Sequence, residues 1–285
     1  MSGAIGLPPI PTFLSESANE TKDAAAAAAA NPQASQLIAY FQKVGPSLTT
    51  PQALLKDYKA LEVVLGAFGI GSLITSPAEV QQLLTQNPSS KSSLAYQLAN
   101  PKYLVFAQAL SNWSTPPFQT KSAIQSIVAG YQTNIYEASA NNQAPGLQNA
   151  LYFNRQIGGI TNLTQLQSDP TLLAVVVTGL GLPLTQFQEL TFQQQTTILQ
   201  NKLTISNLQK PAYTQRLAEQ YLIVQQSQAQ TNALTVQPGS ELSLFGGADE
   251  SGNSLLTILD ASNTATTALS TSGTNSAGSL LSLFA

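Results

Sequence analysis

The chain contains no cysteine and no histidine, and only 9% of its 285 residues are charged. Without thiols or imidazoles it has no disulfide, no thiol nucleophile, none of the usual zinc ligand sets, and no histidine-dependent general base or triad. Carboxylates, lysines and tyrosines are the acid–base groups that remain. A basic face is missing too. The net charge is −3, lysines and arginines are scattered singly, and none follows Arg216. No grip on a nucleic-acid backbone is expected from such a surface. Apolar runs such as Leu172 to Val177 fall far short of the roughly 20 residues that span a bilayer, so no membrane insertion is expected. The first basic residue is Lys22, and Pro8, Pro9 and Pro11 interrupt any apolar h-region. A secretory signal peptide is therefore not expected either.

What is present is 43% hydrophobic residues, with Gln, Asn, Ser and Thr supplying the polar surface. The length suits one large or two small domains. The most informative stretch, Tyr40 to Ile70, returns without a gap as Tyr152 to Leu182, an offset of 112 (152 minus 40). Nine of the 31 aligned positions are identical, including Tyr40/Tyr152, Phe41/Phe153, Asp57/Asp169 and Gly69/Gly181. Average composition gives about two. Like-for-like pairs such as Lys43/Arg155 add to the match. A second, shorter match pairs Asn100-Pro101-Lys102-Tyr103 with Lys210-Pro211-Ala212-Tyr213 at an offset of 110 (211 minus 101). The chain holds a duplicated unit.

The unit reads as helical. Leu37, Ile38, Phe41 and Val44 fall at helical spacing, and Gly45-Pro46 ends that helix. Thr50 caps a helix opening on Pro51. Pro170 biases Asp169 away from the α region, which makes Asp169, and Asp57 with it, the cap of a new helix rather than a catalytic pair. The helix after Asp57 is expected to bury Tyr58, Leu61, Val64, Leu65 and Phe68, with Gly69 as a left-handed stop. The glycines from Gly66 to Gly71 have the wrong spacing for a phosphate loop and no Lys-Ser/Thr after them. Short helices are expected over Pro77 to Gln86 and Lys91 to Ala99, and another from Asn100-Pro101 to Leu110. Ile124, Ile127, Val128, Tyr131 and Ile135 mark one face of a long helix within Pro117 to Asn141, preceded by Trp113 as a packing anchor.

The expected fold class is all-α, with two pseudo-equivalent multi-helix repeats packed as one body between a disordered leader and a disordered tail. The map is a flexible leader over 1–32, whose alanine run Ala24 to Ala30 is expected as a frayed helix that firms up near Pro32; a first repeat over 33–113; a bridging helix over 114–143; a second repeat over 144–230; and a Ser/Thr/Gly-rich tail over 231–285. The tail carries apolar islands at Leu242 to Phe245, Leu255 to Leu259 and Leu280 to Phe284. Such a segment cannot bury enough surface to offset its ordering entropy unless a partner supplies the rest.

With the repeat in view, the chain resembles a bacterial family of all-helical proteins carrying a duplicated domain of unknown function. The residues that carry the resemblance are Tyr40-Phe41, Leu54-Leu55-Lys56-Asp57, Ala67-Phe68-Gly69-Ile70, Leu98 to Tyr103, Tyr152-Phe153 and Gly181-Leu182-Pro183. Genes of that family often sit among flagellar genes, which implies a flagellar connection and no known reaction. The expected role is thus a non-enzymatic flagellum-associated accessory or structural protein with a flagellar or other protein partner. It would be cytoplasmic or exported through the flagellar apparatus. The alternative is a cytoplasmic adaptor or export-chaperone-like module using a groove lined by Tyr40, Phe41, Tyr152 and Phe153. An enzyme using Glu62 and Glu137 is a third reading, set against the simpler one that both are exposed helix-face charges. No residue is singled out as catalytic, cofactor-binding or metal-ligating, no cofactor is expected, and the oligomeric state is open.

Overall fold

The computed structural model describes residues 7–235, which fold entirely as helices and turns. The first half comprises α1 (Pro9–Ala30), α2 (Pro32–Val44), α3 (Pro51–Lys56), α4 (Tyr58–Ala67), α5 (Pro77–Thr85), α6 (Leu94–Leu98) and α7 (Pro101–Leu110). The second comprises α8 (Lys121–Ala140), α9 (Leu147–Gln156), α10 (Leu163–Ser168), α11 (Pro170–Gly179), α12 (Leu184–Glu189), α13 (Phe192–Lys202) and α14 (Pro211–Thr235). Several boundaries recur at the sequence offset. The starts of α3 and α10, of α4 and α11, and of α1 and α8 are each 112 residues apart (163 minus 51, 170 minus 58, 121 minus 9). The long helix expected as a bridge therefore stands at the head of the second half, where α1 stands at the head of the first.

Capping explains why the chain breaks into short helices at these points. Asn31, Thr50, Asn100, Thr120 and Asn162 each accept a backbone N–H from the first turn that follows, satisfying donors with no partner inside the helix. Prolines fill the first position of α2, α3, α5, α7, α11 and α14, where a missing N–H costs nothing. Gly69 (φ +66°) and Gly181 (φ +74°) are the left-handed stops. In each, the next residue donates back across the turn, Ile70 N to Leu65 O and Leu182 N to Val177 O, both 3.0 Å.

The apolar density of α4 and α11 sends them to the centre. Leu61, Val63, Val64 and Leu65 are buried in α4, and Leu172, Leu173, Val175, Val176 and Val177 in α11. Helices that are apolar all round must be covered on every side. α8 crosses α4 so closely that a Cβ on Gly130 would lie 2.8 Å from the Ala67 carbonyl oxygen. α14 crosses α11 in the same way, with Gly179 against the Leu217 carbonyl oxygen at 2.6 Å. Phe118 receives Phe41 and Trp113 edge-on, at 5.4 and 6.1 Å between ring centroids, and Trp113 donates its indole N–H to Leu84 O.

Two expectations about packing need correction. From residue 9 to residue 30 the leader is a helix, with Phe13, Ala24 and Ala28 buried. Alanine has little apolar area of its own, but its small side chain lets α1 lie close along α8 and α9, whose larger residues supply the burial. Tyr58 is 62% exposed because side chains lean toward a helix's N-terminus, which hangs this first-turn ring over the end of α4. The helix α14 runs to Thr235. Residues 1–6 of the leader and the tail islands lie outside the described residues.

Candidate functional site

Two polar sites occupy matching places in the two halves. In the first, Asp57 accepts the Ala60 N–H at 3.0 Å through Oδ1 and the Tyr40 hydroxyl at 2.8 Å through Oδ2. In the second, Asp169 accepts the N–H groups of Thr171 and Leu172 through Oδ1, at 2.9 and 3.2 Å, and the Tyr152 hydroxyl at 2.6 Å through Oδ2. Each aspartate seats its own helix, and the two are not brought together. The tyrosine that opens each unit is tied to the aspartate 17 residues on. This link was readable as two polar positions kept at one spacing in both copies.

The surroundings of the two sites differ. Tyr40 and Asp57 are partly exposed, and a shallow depression of about 390 Å³ opens beside them, between Gln33, Leu37, Tyr40, Tyr58, Lys59 and Glu62. Asp169 is wholly buried and Tyr152 nearly so. The start of α7 covers them. Asn100 donates its amide to Ser168 O at 2.8 Å, and Lys102 Nζ lies 3.9 Å from Asp169 Oδ2 and 4.2 Å from the centre of the Tyr152 ring. Burial raises the Tyr152 phenol pKa, and the charge of Asp169 and the hydrogen bond to it raise it further. For Tyr40 the rise comes first from its hydrogen bond to Asp57.

A further ion pair is confined to the second half. Arg155 grips Glu137 with two parallel bonds of 2.8 Å, the strong fork geometry of a guanidinium on a carboxylate. Burial lowers the Arg155 pKa, but the hydrogen bonds to Glu137 and the charges of Glu137, Glu20 and Tyr152 together more than offset it. Glu20 of α1 comes in beside this pair with one carboxyl oxygen, Oε1, buried and without a hydrogen-bond partner among the described residues. Burial first, and the charge of Glu137 second, push its pKa up to about 7. Glu137 is thus no exposed helix-face charge; it is 2% exposed, because α1 and α9 both pack along α8.

The remaining sequence candidates are dispersed. Phe41 and Phe153 are fully buried, so neither lines an open groove, while Tyr40 keeps a solvent-facing edge. Glu62 lies on the rim of the depression beside Tyr40. A second depression, of about 530 Å³, opens where α6 and the start of α7 meet α10, between Lys91, Tyr96, Ala99, Leu104, Asn162 and Gln165. Among the described residues no three of Asp, Glu, His or Cys are grouped so as to hold a metal ion, and no helix is long and apolar enough to cross a membrane. Chemically, the acceptor oxygens of Asp169 and Glu137 are already engaged by the protein's own donors. They fix helices in place.

Residues 67–214, from the end of α4 to the start of α14, match the family described as a protein of unknown function, DUF1217. The chain belongs to that family. The DUF1217 match straddles the two halves and takes in the buried Tyr152–Asp169 site whole, together with Lys102 that covers it. No curated protein matches the chain. The crystal structure of protein AGR_C_984 from Agrobacterium tumefaciens is similar over 80% of this chain and 98% of that one, with a TM-score of 0.65 and 20% identity. At that identity the likeness speaks for the fold.

Proposed function

We propose that this DUF1217 protein is a non-enzymatic structural or accessory protein of the bacterial flagellum, working through protein contacts. The observation that carries the non-enzymatic part is the use made of its buried polar groups. Asp169 and Glu137 spend their acceptor oxygens on Tyr152, two helix N–H groups and Arg155. A reacting carboxylate needs a free face toward substrate. The flagellar setting rests on the family resemblance borne by residues such as Leu98 to Tyr103 and Gly181 to Pro183. Absence of cysteine suits export in an unfolded state, since no disulfide must be opened. Deleting the gene is expected to impair swimming, and immunoblotting of sheared filaments and basal bodies is expected to find the protein there. Normal swimming, with the protein confined to the cytosol, would remove the flagellar assignment.

An adaptor role is the second reading, favoured by the open depression where α6 and α7 meet α10. Tyr96, Leu98 and Val105, from the same two helices, are 49%, 42% and 50% exposed, more apolar surface than a short helical corner needs. Capture of a purified flagellar subunit that is lost on Tyr96→Asp would support it. Capture unchanged by that substitution would count against it.

A further inference from the structure

The two halves carry the same tyrosine–aspartate site, but only one is covered by another element; at the other, Lys59 of α4 itself lies over the Tyr40 ring at 5.4 Å and the site stays partly exposed. The cover on Tyr152 and Asp169 comes from the other half, as the segment Asn100-Pro101-Lys102 at the start of α7. That segment has its own counterpart in the second half, Lys210-Pro211-Ala212 at the start of α14. Lys210, Pro211 and Ala212 are all exposed. The chain therefore presents an uncovered site at Tyr40 and Asp57 and, elsewhere on the same body, an unused copy of the element that covers such a site.

We infer that a second copy of this chain docks the start of its α14 over the Tyr40–Asp57 site, repeating between molecules the contact made between the halves of one molecule. The contact joins two different surfaces, so it is head-to-tail and propagates, as heterologous contacts do, into an open series or a ring. Lys56 is the counterpart of Ser168 (168 minus 56 is 112) and is exposed, leaving its carbonyl end of α3 available to a donor. The cation is placed differently in the two covers. Ala212 stands at the position of Lys102, and Lys210 stands at that of Asn100, two residues earlier. In the lone chain Lys210 Nζ merely donates to Asn207 Oδ1 at 2.9 Å, on the surface; docked, it is the group that reaches Asp57. The exposed ring of Tyr58 borders the same depression and supplies the apolar contact, an aromatic anchor of the kind that dominates interface energies.

This inference deepens the scaffold reading by naming a partner, and its test uses purified full-length protein, so its failure leaves the flagellar assay untouched. Sedimentation velocity is expected to show the average mass rising with concentration without stopping at a dimer. Lys210→Glu removes one surface and Tyr58→Asp the other, each weakening association by about tenfold or more. Equimolar mixing of the two variants is expected to restore a complex that stops at two chains, because one intact surface survives on each. The lack of native cysteine permits an independent check. Chains carrying Gln33→Cys, on the rim of the same depression, and chains carrying Ala212→Cys, mixed with a short bismaleimide, should give a cross-linked heterodimer in excess of either homodimer. A chain that stays monomeric at every concentration, or an association indifferent to both charge substitutions, would overturn the inference, as would cross-linking without the heterodimer preference.

Discussion

The halves of this protein share their caps, stops and aromatic pegs, yet differ in how much polar chemistry they bury. In the first half, Asp57 sits at the surface, Lys43 points to solvent, and the residue of α1 at the place of Glu137 is Ala25 (137 minus 25 is 112). In the second half, Asp169, Tyr152 and Glu137 are sealed in, and Arg155 has taken the place of Lys43. The difference teaches that two helical stretches with the same caps and stops can keep their backbone instructions while the polar site of one is sealed and that of the other stays near the surface. A cap needs only a side-chain acceptor near the first turn. Once covered, the same acceptor must satisfy every lone pair from inside the protein.

The largest expected contrast lies in the ion pair. Arg155→Ala leaves Glu137 buried without its fork and is expected to cost roughly 3–5 kcal/mol, whereas Lys43→Ala, at an exposed site, should stay within about 0.5 kcal/mol. Urea unfolding of both variants measures the gap, and equal costs would erase the distinction between the halves. The next contrast is in the caps. Asp57→Ala should cost about 1–2 kcal/mol, as loss of an N-cap does. Asp169→Ala should cost roughly 3 kcal/mol or more, since it also strands the buried Tyr152 hydroxyl and leaves Lys102 without its carboxylate partner.

Much of this frame was legible beforehand. Asp57 and Asp169 read as caps because Pro170 forbids a helix running through its neighbour, and Gly69 and Gly181 read as stops because both copies keep glycine there. Those signals are local, and local chemistry decides them. What failed was non-local. Nothing in the alanine run of α1 shows that α8 will supply the apolar area, so a packed helix reads as a frayed one at the end of a leader. Glu137 looked like surface because its own helix cannot show that α1 and α9 will close over it. Tyr58 erred in the opposite direction, an apolar ring in helical register that the end of α4 leaves outside. The tyrosine–aspartate bond was within reach. Tyr40 and Asp57 recur as an identical pair with the same 17-residue separation, and two polar residues kept together suggest a shared bond.

Smaller effects sharpen the comparison by testing where the halves should agree. Gly69→Ala and Gly181→Ala should each cost about 1–2 kcal/mol, because both positions hold a left-handed backbone that a Cβ disfavours. Similar losses in thermal unfolding would show the stops to be equivalent, and a cost at only one would show that the backbone has diverged too. Glu20 gives the pH-dependent counterpart. Its carboxyl faces Glu137 on α8 and the Arg155 guanidinium on α9, and its pKa is raised from 4.5 to about 7. A raised carboxyl pKa means the folded state holds the proton more tightly, so this contribution is fully present below about 4.5 and is lost as pH rises through about 7. Glu20 is only partly buried, and solvent screening leaves about 1 kcal/mol of that linkage, so thermal stability should fall over the window by roughly 2–4 °C in a chain of this size. Glu20→Gln should flatten the dependence, and an unchanged pH profile would remove Glu20 from the buried cluster.

The most direct test of unequal burial is a pair of double-mutant cycles. One couples Tyr152→Phe with Asp169→Asn, the other Tyr40→Phe with Asp57→Asn, each read by urea unfolding of the full chain. A coupling of roughly 1.5–3 kcal/mol for the covered pair against less than about 1 kcal/mol for the open pair is the predicted result. Equal couplings, or a stronger one at Tyr40 and Asp57, would contradict it.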